Sequence, residues 1–387
     1  MLSEAVELLG QLPPGPELAR ALATGAGAAL VAGRYQEVVA QADRAIQLSE
    51  QVGESVAAAR ARAFRGYARA IQGDRGGVDE QRKALHSLRA LGVGRAAAVV
   101  YNNLGSCLAH IEGPQAALEA FREGVTFAET RGLREAALAI RDSMLTVLFE
   151  VGEWDEVLRL GSEVVEEAKR QGSGHDEAFA NADRAAVLAH RQGAGARAFC
   201  ESVLQQARPL EDPPLVMWAM IGAAVARLAA ADLSGAAGLV GEALELTRDD
   251  VVVRAGELPH LVRLSIGAGD LGLAERALEG TEALGLERYR LSLLSARAAL
   301  TEARQEPAGA LAMYEDAAAA WARWGHVLEG AHALFGAGRC LAGLGRLEEA
   351  RARFEAAAAA FARLGAEPAL AEVRSAMGHD PLNPGPA

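Results

Sequence analysis

The chain repeats itself, and this constrains its fold more than any other feature. Tyr101-Asn102-Asn103-Leu104-Gly105-x-x-Leu108 is followed by Ala117-x-x-x-Phe121-x-x-Gly124. The same spacing returns as Gly338-x-x-Leu341, then Gly345-x-Leu347-x-x-Ala350-x-x-x-Phe354-x-x-Ala357. Turns fall near Gly33, Gly73, Glu112, Gly152, Gly193, Ala231, Gly269, Gln305 and Gly345, about 39 residues apart. A period of that length predicts a stacked array of helix pairs in which each pair buries its apolar face on the next. Arrays of this kind usually hold partners and rarely do chemistry.

The pattern around each turn supplies the mechanics. A small-residue helix precedes it, as over Ala58 to Gln72 or Arg141 to Val151. A bulky residue follows it (Tyr35, Trp154, Leu271, Leu347), with Val38, Val157, Ala274 or Ala350 three positions on. Three- and four-residue spacing places these side chains on one helix face. Gly53, Gly132, Gly172, Gly285, Gly325 and Gly365 are placed to cap the second helices. Pro13-Pro14-Gly15-Pro16 separates a short first helix from the array, and Asp212-Pro213-Pro214 opens the sixth unit. Pro307 suits the start of a second helix, whereas Pro259 requires its helix to begin late or to kink. Pro381, Pro384 and Pro386 mark a loose tail.

Composition agrees with an array. An ordinary globular chain of 387 residues would be two or three domains, but repeats escape that limit. Hydrophobic residues make up 51% and aromatics only 5%, so small side chains must do the packing. The net charge of −12 argues against a broad nucleic-acid surface, which needs clustered Lys and Arg. Lysine occurs only at Lys83 and Lys169, a bias toward Arg that points to GC-rich coding and a bacterial source. Cys107, Cys200 and Cys340 are scattered in apolar contexts and read as buried small residues. No charged-then-apolar leader follows Met1. No run of ~18 apolar residues occurs, so no membrane span and a cytoplasmic protein are expected.

Catalytic and cofactor signatures are missing. Neither lysine stands in a Gly-Lys-Ser/Thr setting, which excludes a P-loop. Gly267-Ala268-Gly269-Asp270-Leu271-Gly272 matches a dinucleotide fingerprint but falls at a repeat turn between helices, without the strand that the fingerprint needs. The histidines are scattered, with His326 and His332 six apart, the wrong spacing for two metal ligands on one helix face. No cofactor, no metal and no catalytic residue is expected. Glu150, Glu153, Asp155, Glu156, Glu163, Glu166 and Glu167 read as a solvated outer face, or as a contact for a basic partner segment. Tyr101, Phe121, Trp218, Trp321 and Trp324 read as packing residues.

With these units in view, the chain resembles the tetratricopeptide repeat family, and most of all its long-repeat, MalT-like version from large bacterial signalling regulators. The resemblance spans residues 17–376, with 1–16 as a capping helix and linker and 377–387 as a flexible tail. It implies an all-α, right-handed superhelical solenoid of about nine antiparallel helix pairs, whose first helices line a concave groove. Carried over unit by unit, the groove positions are Arg60, Tyr67, Asn102, Asn103, Ser106, Asp142, Thr146, Asp183, His190, His260, Arg263, His332 and Arg339. Asn103 stands where the family often uses Asn to bond a ligand backbone, and its amide both donates and accepts. The resemblance implies a non-enzymatic scaffold or sensor arm holding a protein or peptide segment. The second reading is the sensor segment of a larger regulator whose ATPase, cyclase or DNA-binding module lies elsewhere. Small-molecule binding, or an accessory role in an enzyme complex, is a third reading. Exposed solenoid ends also offer a surface for a homodimer.

Overall fold

The computed structural model describes residues 2–378, and among them no strand occurs. Contacts divide the chain into two compact units, Met1–Met144 and Leu145–Ala387. Unit 1 comprises α1 (Leu2–Gly10), α2 (Pro16–Val31), α3 (Tyr35–Val52), α4 (Ser55–Ile71), α5 (Gly76–Ala90), α6 (Gly94–Ile111) and α7 (Pro114–Glu129). The division falls inside α8 (Arg134–Glu150). Unit 2 continues with α9 (Trp154–Gln171), α10 (Gly174–Gln192), α11 (Arg197–Ala207), α12 (Pro213–Ala229), α13 (Leu233–Leu246), α14 (Val251–Gly256) and α15 (Leu258–Gly267). It ends with α16 (Leu271–Leu278), α17 (Glu287–Ala303), α18 (Pro307–Trp324), α19 (Val327–Gly343), α20 (Leu347–Leu364) and α21 (Glu367–Gly378). Of the expected tail, Met377 and Gly378 close α21, and the rest, with its three prolines, lies outside the described residues.

Consecutive helices pack in pairs, and the repeated sequence shows why. A β-carbon on Gly105 would sit 2.5 Å from Phe121 Cδ1, so the ring lies directly on the bare backbone of α6. Gly338 receives Phe354 in the same way, at the same spacing, between α19 and α20. Val38, Val157 and Ala274, three past the bulky turn residue, have no exposed surface. The bulky position itself varies. Trp154 is buried and its indole donates to the Phe149 carbonyl at 3.0 Å, whereas Leu271 is exposed.

The turns follow the sequence reading closely. Gly33, Gly73, Gly152, Gly193, Gly269 and Gly345 adopt positive φ, as do Ala231 and Gln305. In the third unit the turn residue is Gly113 and not Glu112. Gly53, Gly132, Gly172, Gly325 and Gly365 also take positive φ after second helices. Gly285 does not: α16 stops at Leu278 and the chain turns at Gly280 (φ 77°). Pro307 opens α18, and Pro259 is met by a break between α14 and α15 that places it in the first turn of α15.

Within unit 2 the first helices form a row: α10 packs on α12, α12 on α15, α15 on α17 and α17 on α19. The row closes on itself, because α21 packs back against α10. Arg191 fastens the closure by donating from Nε to the Leu364 carbonyl at 2.9 Å, satisfying an otherwise open acceptor at the end of α20. Its Nη1 reaches Asp155 at 2.7 Å.

Candidate functional site: a buried polar cluster in unit 2

The inward faces of this closed row meet in a cluster of charged and aromatic side chains. Glu329, in the first turn of α19, is 2% exposed and receives both Arg263 Nη atoms at 2.6 Å. Burial alone would raise the Glu329 carboxyl. The Arg263 guanidinium outweighs burial and holds the carboxyl below its ordinary value. Arg288, from α17, places Nη1 2.7 Å from Glu150 Oε1, and both residues are buried. Here burial wins: Glu150 is pushed up to about 7, with Arg288 pulling down and Glu257 and Glu329 adding to the rise. Two carboxylates of one cluster therefore move in opposite directions because only one has a bidentate partner.

Asp183 of α10 lies close by and is 1% exposed. Its Oδ1 accepts from the Trp218 indole at 3.0 Å and from Thr146 Oγ1 at 3.1 Å. Burial still pushes it up to about 7 against those two bonds. His260 lies between the His190 ring, tilted at 55°, and the Trp218 ring, which it meets edge-on, with Nδ1 3.4 Å from Glu257 Oε2. Burial, then the neighbouring His260 and Arg263 charges, lowers His190 to about 3. His326, edge-on to Trp321, is also lowered to about 3, first by burial. His332, edge-on to Phe361, falls well below its ordinary value, chiefly through burial.

The break before α15 serves this cluster. It frees the Gly256 carbonyl, which accepts from Ser292 of α17 at 3.4 Å, and it sets Glu257 beside His260. Trp321 joins by donating to Ser295 at 2.7 Å.

Of the sequence-derived groove positions, Thr146, Asp183, His190, His260, Arg263 and His332 come together here or at its border. Arg339 is separate and exposed, pairing with Glu302 at 2.6 Å and lying over Phe335. The remaining positions belong to unit 1. Arg60 and Tyr67 are half-buried on α4, and Tyr67 stacks on Tyr35 with centroids 6.5 Å apart. Asn102, Asn103 and Ser106 are half-buried on α6, where the Asn102 Oδ1 atom is shielded and accepts no hydrogen bond. Asp142 is buried on α8.

Sequence reasoning missed Arg288, Glu329, Glu257 and Glu150 as members of the cluster. Glu150 in particular is not on a solvated outer face: it is the last residue of a first helix and points inward to Arg288. Glu153, Asp155, Glu163 and Glu166 are exposed as expected. The described residues hold no group of three or more His, Cys, Asp or Glu side chains placed to take a metal ion. No helix among them is long and apolar enough to cross a membrane.

Comparison with solved structures places the architecture. A Rap protein complexed with competence and sporulation factor superposes with a TM-score of 0.60 at 12% identity, covering 89% of this chain and 99% of that one. The apo form of the quorum sensor NprR from B. thuringiensis gives 0.54 at 11% identity, covering 88% and 97%. The fold is a tetratricopeptide-like helical repeat. No protein-family model and no curated protein matches the sequence.

Proposed function

We propose that this chain is a non-catalytic sensor or scaffold that holds a protein or peptide segment on the inward faces of its first helices, in the cytoplasm. The observation that carries this reading is the likeness along 88–89% of the chain to two solved proteins, one complexed with competence and sporulation factor and the other a quorum sensor. Polar inward faces support it. On α6, Asn102 and Asn103 offer amides suited to an extended backbone, and Asn102 Oδ1 is an acceptor in need of a donor. The 39-residue spacing favours the long-repeat, MalT-like variety, in which such an array serves as the sensor segment of a larger regulator.

The test is capture of partners on immobilised protein, comparing wild type with Asn103→Ala. Asn103 is half-buried and its loss should leave folding intact. A protein or peptide retained by wild type and lost from the variant supports the reading. Equal retention by both moves the site away from α6, and the absence of any specific retention sinks the proposal.

A further inference from the structure

Register places Asp183 and His260 in an open groove, yet unit 2 buries them, at 1% and 5% exposed. What remains at the centre is a cavity of about 10 Å³, room for one water. A peptide segment does not fit there. In this form the inward face of unit 2 is a core and not a groove.

That core is a costly one. Glu150 Oε2 and His326 Nδ1 meet no hydrogen-bond partner. His260 Nε2 stands 3.9 Å from Glu329 Oε1, and Arg288 Nη1 faces Glu150 Oε1 at 2.7 Å without the alignment of a hydrogen bond. Buried polar groups that are only partly satisfied destabilise the form that buries them, and contact with water relieves them.

The seam that shuts the row is slight by comparison. Helix α21 buries only Leu370 and Val373. Pro368 rests on Gly193, Leu364 and Val327 cover Gly152, and Arg191 donates to the Leu364 carbonyl. An element with few buried apolar contacts opens at lower free energy than the helices it closes on. The seam also borders the cavity. Gly152 follows Glu150 and Val151, and Val327 stands between His326 and Glu329; Glu150, His326 and Glu329 all lie on the cavity wall.

We propose that the seam between α10 and α21 is a gate. Closed, it hides the inward face of unit 2. Open, it parts α20 and α21 from α10 and from the α8–α9 turn, and uncovers the polar cluster. A segment that binds this face binds only the open form, and so holds the gate open. That role in partner binding rests on the inward faces being the binding faces.

Thiol labelling of the full chain tests the gate without a partner. Ser292 lines the cavity and is 1% exposed, so Ser292→Cys places a thiol behind the seam. The probe is iodoacetamide under native conditions, with each cysteine resolved by peptide mass spectrometry. Cys200, buried against α10, reports wider unfolding of unit 2. The Ser292→Cys thiol should react at least about tenfold faster than Cys200, because it needs only the weaker opening. Arg191→Ala removes the hydrogen bond across the seam and should speed that reaction by about tenfold more.

Gly193→Cys/Pro368→Cys sets two β-carbons 3.9 Å apart, within reach of a disulfide. The oxidised cross-link should slow the Ser292→Cys thiol to the pace of Cys200, and reduction before labelling should restore it. Should the new β-carbon at Gly193 prevent folding, Arg191→Ala tests the same seam in the opposite direction. A Ser292→Cys thiol no faster than Cys200 would overturn the gate. So would a fast thiol whose rate Arg191→Ala or the cross-link leaves unchanged. Iodoacetamide reports opening and not binding, so either result leaves the proposed function standing.

Discussion

Replacing Gly105 with Ala tests the packing logic of the repeat at its most exposed point. Alanine is the better helix former, and in an unconstrained helix the change would stabilise by about 1 kcal/mol. Here the new methyl would sit 2.5 Å from Phe121 Cδ1 and 2.7 Å from Cζ. Carbon atoms rest about 3.5–4.0 Å apart, so the ring would have to retreat by roughly 1 Å. Phe121 is 1% exposed and has nowhere to go. Overpacking of this kind costs about 1–3 kcal/mol, leaving a net loss near 1 kcal/mol. In a Phe121→Leu background the clash is relieved, and Gly105→Ala should become stabilising by up to about 1 kcal/mol. The two changes therefore couple by about 2 kcal/mol in a double-mutant cycle. All four tryptophans, Trp154, Trp218, Trp321 and Trp324, belong to unit 2, so their fluorescence serves as an internal control. Thermal unfolding by circular dichroism and amide exchange along α6 and α7 give the readout. Stabilisation by Gly105→Ala in both backgrounds would refute the contact as the origin of the glycine.

Five further outcomes follow from the geometry. Arg263→Ala leaves Glu329 buried without its cation and should cost about 3–5 kcal/mol in urea unfolding followed by tryptophan fluorescence, whereas Arg263→Met/Glu329→Met should recover most of it. His190 and His326 are neutral when folded down to about pH 3 but protonate near 6.5 when unfolded, so they contribute stability that is lost as pH falls below 6.5. Glu150 and Asp183 act oppositely, titrating near 7 when folded and near 4.5 and 3.8 when unfolded, so their ionisation erodes stability as pH rises from about 4 to 7; Asp183→Asn should flatten that part of a melting-temperature profile. Arg191→Ala removes the donor to Leu364 and should speed amide exchange in α21 and the adjoining turn while leaving α12–α13 protected. Ala231 holds φ 58°, which costs a non-glycine residue about 1–2 kcal/mol, so Ala231→Gly should raise thermal stability by about 0.5–1 kcal/mol and Gly152→Ala should lower it.

The fold was legible because its determinants are local and recur. A glycine facing a ring sixteen residues later, an Ala or Val three past the bulky residue that follows a turn, and a left-handed turn residue can all be read one unit at a time. Ala231 and Gln305 were found by spacing alone, since neither residue type announces a left-handed turn. The displaced turn at Gly280 escaped because α16 is only eight residues long, and nothing in its composition marks an early stop. The candidate site was legible in half. Register placed Asp183, His190, His260 and Arg263 on inward faces, but not which inward faces would touch. The Arg263–Glu329 pair joins residues 66 positions apart, and Glu150–Arg288 spans still more. Such contacts depend on the winding of unit 2, which no single repeat encodes. The acidic run around Trp154 concealed Glu150 because a carboxylate beside exposed carboxylates carries no sign of the arginine it will meet.

The contact between α10 and α21 has a consequence for how such a chain can change over generations. Tandem arrays commonly grow and shrink by whole repeats, since each copy needs only its neighbours. Unit 2 has lost that freedom. Adding or deleting a helix pair between α11 and α20 would carry Leu364 away from Arg191 and Pro368 away from Gly193. The number of pairs is thus fixed by a hasp that shuts only at one length, and duplication is tolerated only outside it.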